Sequence, residues 1–295
     1  MGILDGKAVV ITGAGRGIGK GHAEVLASEG ASVVINDVDL EVAQEAVDEI
    51  TKAGGSAVAN GSDIGTRAGC EELVEQCISA YGKLDASIAN AGIVRDRSLL
   101  KMTDEEFDDV FRIHAKSTFW VGQLAARHLK ERGAAGCIIN TTSGAHFGNF
   151  GQTNYGGAKG MIASMTYTWA LELARYGIRV NAIAPAATTR MTDVARNPDG
   201  TKVELPFWDP ALNSPIVAYM ISDEGNWITG QILATGMERL GIMIQPRYGP
   251  TLMREGGWDV ESVRRWFKDA LGKQLEPFGL GKAPYPYYDG LEPKL

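Results

Sequence analysis

The chain has 295 residues, 44% of them hydrophobic and 22% charged, with a formal net charge of −7. That composition is globular and long enough for a full core, while the acidic balance and the lack of any lysine/arginine run argue against a nucleic-acid or anionic-membrane surface. No window of about 18 uncharged apolar residues occurs, so no membrane span is expected.

The N-terminus, "MGILDGKAVVITG", carries Asp5 and runs straight into a strand-like segment. It lacks a basic start and a cleavage site, and a cytoplasmic protein is expected. Short runs rich in Val and Ile predict strands at 8–13, 32–37, 56–60, 84–90, 137–143, 178–185 and 231–236. Helix-like stretches alternate with them at 39–53, 66–81, 103–131 and 154–176. Strands that are apolar on both faces and separated by helices imply an α/β fold with a doubly wound, parallel sheet.

The first strand leads into "TGAGRGIG" (12–19), which opens a helix. Gly13, Gly17 and Gly19, with Arg16 and Ile18 between them, allow a tight turn and close approach to a pyrophosphate at the helix N-terminus. A glycine-rich loop is a weak signal alone; the strand, loop and helix in that order strengthen it. Asp37 ends the second strand about twenty residues later, where a carboxylate accepts hydrogen bonds from ribose hydroxyls and repels a 2′-phosphate. NAD is therefore expected as cofactor. Arg16 is the contrary signal, being a cation able to meet that phosphate. A plain helix cap is the other reading of Asp37, although Asp39 can serve there too.

Cys70 and Cys77 lie seven apart on one helix face, and Cys137 stands in a strand. Buried thiols in a reducing compartment are expected, not a disulfide. The four histidines show no ligand spacing, so no metal site is expected.

Ser143 closes the fifth strand, and Tyr155 and Lys159 follow at the start of a helix. Four residues apart, the last two share a helical face. An unperturbed tyrosine, with a pKa of about 10, is too weak a base at neutral pH. A nearby ammonium favours the phenolate, and a three-unit shift corresponds to roughly 4 kcal/mol. Ser143 can then hold a substrate oxygen while Tyr155 moves its proton. His146 and Gln152 are candidates for the substrate pocket.

Residues 186–212 break the alternation just beyond a strand's carboxyl end and are read as a substrate lid, with Phe207 and Trp208 as its apolar underside. One domain over 1–240 is expected, followed by a C-terminal extension, 241–295. The extension holds one helix, capped by Asp259, with Val260, Val263 and Phe267 on a face and Gly272 past its end. It is expected to pack on the domain or on a neighbouring subunit.

Together, "TGAGRGIG", Asp63, "NAG" (90–92), Ser143, "YGGAK" (155–159) and "RVNAIAP" (179–185) resemble the short-chain dehydrogenase/reductase superfamily over about residues 5–240. The resemblance implies a Rossmann fold with a seven-stranded parallel sheet. It places Ser143, Tyr155 and Lys159 in catalysis, with Lys159 also on the nicotinamide ribose. It puts Asp63 and Ile64 at the adenine, Asn90, Ala91 and Gly92 along the cofactor, and Pro185, Ala186, Thr188 and Thr189 at the carboxamide. Most relatives carry Asn where this chain has His114, and there it holds a water that relays protons to the lysine; an imidazole can do the same.

That histidine, with "TGMERLG" (235–241), "GNFGQTNY" (148–155) and "APAATTRMT" (184–192), resembles the (3R)-hydroxyacyl-CoA dehydrogenase part of peroxisomal multifunctional enzymes and its bacterial single-domain relatives. That group's glycine-rich insertion after the second strand is missing here. The implied activity is NAD-dependent interconversion of a secondary alcohol and ketone, with a 3-hydroxyacyl thioester as substrate. The rivals are a hydroxysteroid or other bulky-alcohol dehydrogenase, an NADP-linked ketoacyl reductase, and a non-catalytic NAD-binding sensor or scaffold. Relatives pair the helices matching 103–131 and 154–176 across subunits, which implies a homodimer or homotetramer; Met161, Met165 and Trp169 supply apolar faces.

Overall fold

The computed structural model describes residues 2–189, 206–276 and 278–280. In chain order the elements that position the site are β1 (Ala8–Ile11), α1 (Gly17–Ser28), β2 (Ser32–Asn36), α2 (Leu40–Lys52), β3 (Ser56–Asn60), α3 (Arg67–Tyr81) and β4 (Ala86–Ala89). They continue with α4 (Asp104–Phe111), a π-helical turn (Arg112–Lys116), α5 (Ser117–Arg132), β5 (Gly136–Thr141), α6 (Thr153–Leu173) and β6 (Ile178–Ala186). Then come α7 (Pro215–Ile221), β7 (Ile232–Gly236), β8 (Gly241–Ile242) and α8 (Val260–Trp266).

The strands form one sheet in the order β3-β2-β1-β4-β5-β6-β7-β8. The first seven are parallel, as expected. The eighth is a correction: Gly241–Ile242 pairs antiparallel with β7, so the sheet runs two residues into the C-terminal extension. After Gly236, at φ +89, and Met237, at φ +54, the chain turns back on β7. A short edge strand of this kind covers part of an otherwise open ladder.

Alternate strand residues feed two cores, which explains the unbroken apolar runs. Val9, Ile11, Val33 and Ile35 face Leu26, Val47 and Ile221 on one side, and Val10, Val34 and Val180 face Leu73, Val121 and Leu129 on the other. Cys70, Cys77 and Cys137 are free and buried. Burial pushes their thiols up to about 12, 12 and 11, so they act as small apolar side chains.

The helix expected over 103–131 is interrupted. Thr103 and Glu106 form a capping box that starts α4, but Arg112–Lys116 winds as a π turn before α5 resumes at Ser117. The Ser117 hydroxyl donates to the Ile113 carbonyl inside this turn. α8 is likewise shorter than expected: Asp259 caps it through Ser262, and it ends at Trp266, well before Gly272. Val260, Val263 and Phe267 are exposed along it. Most of the expected lid (190–205) and the tail beyond 280 lie outside the described residues. Of the lid's apolar pair, Phe207 is exposed and Trp208 is tied by backbone hydrogen bonds to Thr188.

Candidate active site

The strand order reverses between β1 and β4: β1 leads outward to β2 and β3, and β4 to the other half. In an open α/β sheet, the crevice at the carboxyl ends beside such a switch point is where ligands bind. Most candidate residues named from the sequence follow a strand at this edge or sit on α6, while Pro185 and Ala186 end β6 itself and His114 lies in the π turn.

At the glycine loop, Gly13 and Gly17 take φ of +59 and +57, a region that side-chained residues enter only at a cost. A Cβ on Gly13 would stand 2.8 Å from the Ala91 Cα, and one on Gly19 would strike the Gly13 carbonyl and the Asn90 amide. Glycine is thus required both for the turn and for seating α1 against the end of β4. The Asn90 side chain donates to the carbonyls of Thr12 and Gly13 at 3.0 and 3.1 Å. The Thr12 hydroxyl accepts from the backbone N–H groups of Asn90 and Ala91, each at 3.0 Å. Arg16, the residue before α1, makes no side-chain cap, so the helix dipole and N-terminal N–H groups favour an anion there.

Asp37 follows β2. Its Oδ1 accepts from the Asp39 N–H at 3.1 Å, and its Oδ2 lies 2.9 Å from where a Gly15 Cβ would be, over the glycine loop. Arg16 turns away to Asp39, NH2 to Oδ2 at 2.6 Å. The loop's cation is therefore already paired, while the Asp37 carboxylate faces the crevice. Neither aspartate's side chain caps α2.

Farther along the edge, Asp63 holds its own turn, Oδ1 accepting from the Gly65 N–H at 2.8 Å. Ile64 sends its side chain into the core and leaves its backbone at the edge. Thr189 lies across the glycine loop, its Cγ2 3.5 Å from a Cβ built on Gly17. Pro185 and Ala186 belong to β6 itself, and the Ala186 carbonyl accepts from Asn213 at 3.1 Å. The Thr188 hydroxyl accepts from the Trp208 N–H at 2.8 Å.

At the other end of the crevice, Ser143 leaves β5 and its Oγ accepts from the Ala145 N–H at 3.1 Å. Asn154, fully buried, donates to the carbonyls of Arg95 and Glu106 and accepts the Tyr155 N–H at 2.7 Å. This fixes the first turn of α6. Lys159 is buried one turn later, its Nζ donating to the Thr141 carbonyl at 2.6 Å and lying 5.6 Å from the Tyr155 ring centre. Burial lowers its pKa to about 7. Burial also raises the Tyr155 phenol above 10, opposed by the Ser143 hydroxyl and reinforced by the charge of Asp96. Without a further positive charge the proton rests on the phenol.

His114 sits in the middle of the π turn, its ring edge-on to Tyr155 at 5.2 Å between centres. Its Nε2 meets the Ile93 backbone, 2.7 Å from the carbonyl oxygen, and its Nδ1 is buried without a partner. Burial, helped by the Lys159 charge, lowers its pKa to about 3, so the ring is neutral. A Cβ on Gly92 would strike this ring. A π turn adds one residue within the helix and is frequent at functional sites; here it carries His114 between Gly92 and Tyr155.

The candidate pocket residues diverge. The His146 Nδ1 turns back to the Ser143 carbonyl at 2.5 Å. Gln152 donates to Asp96 at 2.9 Å. Asp96 is the group that sequence reasoning missed. Its side chain is exposed at the surface, but partial desolvation still raises its pKa, and it is close enough for its charge to act on Tyr155. Its position six residues past Asn90, at a strand's carboxyl edge, was the available signal.

The residues fit an anionic dinucleotide. The loop is a cradle that a Cβ would fill, α1 has an uncapped N-terminus, and among the described protein groups the Lys159 ammonium bonds only the Thr141 carbonyl.

The model of the short chain dehydrogenase family matches residues 7–200. A hydroxyacyl-CoA dehydrogenase of Mycobacterium tuberculosis is 34% identical over 282 residues, covering 90% of this chain and 89% of that one. The peroxisomal hydratase-dehydrogenase-epimerase of Saccharomyces cerevisiae is 35% identical over 295 residues, covering 96% of this chain but 32% of its own length. A solved 7α-hydroxysteroid dehydrogenase, complexed with NADH and 7-oxo glycochenodeoxycholic acid, superposes with a TM-score of 0.70 at 31% identity, covering 81% of this chain and 97% of that one. The chain belongs to the short-chain dehydrogenase/reductase family of oxidoreductases that act on CH–OH groups.

Proposed function

We propose that this protein is an NAD-dependent dehydrogenase that interconverts a secondary alcohol and its ketone, with a 3-hydroxyacyl thioester as substrate. The observation that carries the reading is the meeting of Ser143, Tyr155 and Lys159 at the carboxyl edge of the sheet, beside a glycine cradle that admits a pyrophosphate. The pairing of Arg16 with Asp39, which leaves the Asp37 carboxylate facing the loop, supports NAD over NADP. The likeness to a hydroxyacyl-CoA dehydrogenase supports the thioester.

When bound, the nicotinamide supplies the hydride acceptor or donor. The chain's own residues do the rest. Ser143 donates its hydroxyl to the substrate oxygen and fixes it next to the phenol. Tyr155 passes its proton to that oxygen in reduction and recovers it in oxidation. Lys159 holds the nicotinamide ribose and biases Tyr155 toward the phenolate when charged. His114, neutral and with Nδ1 unpartnered, takes the place of the usual asparagine and orders a water on the path to Lys159. With the proton resting on Tyr155, the protein is poised for reduction at neutral pH, and oxidation strengthens as pH rises.

A bulky secondary alcohol such as a hydroxysteroid is the second reading, supported by the likeness to the bile-acid enzyme. A homodimer or homotetramer, built through α5 and α6, is proposed with it; exposed Phe119 and Met161 on those helices fit the arrangement. Purified protein given NAD or NADP, with (3R)- and (3S)-hydroxyacyl thioesters, hydroxysteroids and simple secondary alcohols, tests the reading through NADH formation. Tyr155→Phe should lower turnover by more than about 100-fold while NADH still binds. Wild-type turnover by that variant would remove the mechanism.

A further inference from the structure

The C-terminal extension returns to the catalytic loop. The Leu280 N–H donates to the Gly148 carbonyl at 2.7 Å. Gly148 and Gly279 take φ of +104 and +80, and their backbones are in van der Waals contact. A Cβ on Gly148 would lie 3.4 Å from the Gly279 Cα, and one on Gly279 would lie 3.3 Å from the Gly148 oxygen. Only a pair of glycines lets the two segments run this close in these conformations. The Leu280 side chain then lies over Gly144, its Cδ1 2.9 Å from where a Cβ would stand. Gly144 directly follows Ser143, so Leu280 sits one residue from the hydroxyl assigned to the substrate oxygen.

Around that position the described surface is apolar and open. Leu280 and Phe147 are each 48% exposed, and Phe278 is 52% exposed. The polar groups of the site, Gln152 and Asp96, pair with each other instead of with this segment. Among the described residues, the Gln152–Asp96 side of the crevice is polar and the Leu280 side is apolar, so an apolar substrate body held at Ser143 and Tyr155 is favoured toward Leu280.

We propose that Phe278–Leu280 forms the substrate-side wall of the active site and that Leu280 sets the length and bulk of the apolar body accepted beyond the carbinol carbon. The proposal deepens the dehydrogenase reading and rests on it. The extension is then a specificity element of the domain that carries it.

The test compares full-length wild type, Leu280→Ala and Leu280→Trp. The ratio of kcat/KM for long-chain over short-chain (3R)-hydroxyacyl thioesters is measured, and in parallel for a hydroxysteroid over a small cyclic alcohol. Leu280→Ala should raise the ratio about tenfold and Leu280→Trp should lower it by a similar factor, as expected for a change of a few methylenes in an apolar pocket. The Kd for NADH should not move, since Leu280 stands on the substrate side. Calorimetric binding of saturated long- and short-chain acyl-CoA to the NADH complex gives the same ratio without turnover. That separates the two ideas: absent turnover with a length-dependent shift in binding overturns the enzyme reading and keeps the wall. Ratios unchanged in both variants, or a uniform loss across all substrates with a moved NADH Kd, would overturn the wall.

Discussion

Replacing His22 by leucine tests how a buried imidazole couples the fold to pH. His22 is fully buried on α1, with Nδ1 2.9 Å from the Ser214 hydroxyl at the start of α7 and Nε2 unpartnered. Burial lowers its pKa from 6.5 to about 4. The unfolded chain therefore binds a proton more readily than the folded one, and stability is lost as pH falls from 6.5 toward 4, with no further loss below. At 1.36 kcal/mol per unit, the full coupling is about 3 kcal/mol, of which about 2.5 kcal/mol is gone by pH 4.5. Leucine cannot titrate. Its cost, an unpaired Ser214 hydroxyl offset by the lost Nε2, is about 1–3 kcal/mol at most and independent of pH. Urea unfolding of both proteins at pH 7.5 and 4.5 isolates the difference, because all other titrating groups are shared. Wild type should lose about 2.5 kcal/mol more than the variant over that interval. Parallel losses would refute the claim that His22 is held neutral by burial.

Three further outcomes follow from the site. Asp96→Asn removes the charge that raises Tyr155, so the pH profile of alcohol oxidation should move to lower pH, with a few-fold gain near neutrality; an unmoved profile places Asp96 outside the proton's reach. Combining Asp37→Ser with Asp39→Ala removes the repelling carboxylate and releases Arg16. The NADP/NAD ratio of kcat/KM should then rise by about 10- to 30-fold, roughly 1–2 kcal/mol for partly exposed charges. Gly92→Ala drives a methyl into the His114 ring and should cost about 1–3 kcal/mol of stability, with a larger fall in kcat than in cofactor affinity; wild-type kcat with an unshifted midpoint would show that the ring is not held where the π turn puts it.

What could be read from the residues was whatever depends on neighbours in the chain. The Val/Ile runs of β1, β2 and β5 announced strands covered on both faces, and Gly13, Gly17 and Gly19 announced a turn no other residue can make. The spacing of Tyr155 and Lys159 is a property of any helix, and Thr153–Leu173 obeys it. The π turn was not legible because "RIHAK" contains neither Gly nor Pro, and its apolar residues continue a plausible α pattern. The eighth strand is two residues long, and its pairing depends on the reversal after Gly236. Asp96, between Arg95 and Arg97, has the look of solvated surface charge. Only the fold brings Gln152 to it from 56 residues away. Arg16 was ambiguous for the same reason: its partner, Asp39, is 23 residues off.

The π turn at Arg112–Lys116 also sets how this stretch tolerates insertion and deletion. Each residue of an α-helix advances its side chain by about 100° around the axis. Five residues spent on one turn therefore leave α4 and α5 out of phase with any continuous helical wheel. Deleting one residue from 112–116 would restore an unbroken α ladder and leave Val121, Ala125 and Leu129 close to the core they now fill, whereas winding all five residues as α-helix would rotate them by about 100° away from it. The hydrogen-bonding defect is thus what keeps α5 in frame, and His114 occupies the position where the frame is corrected.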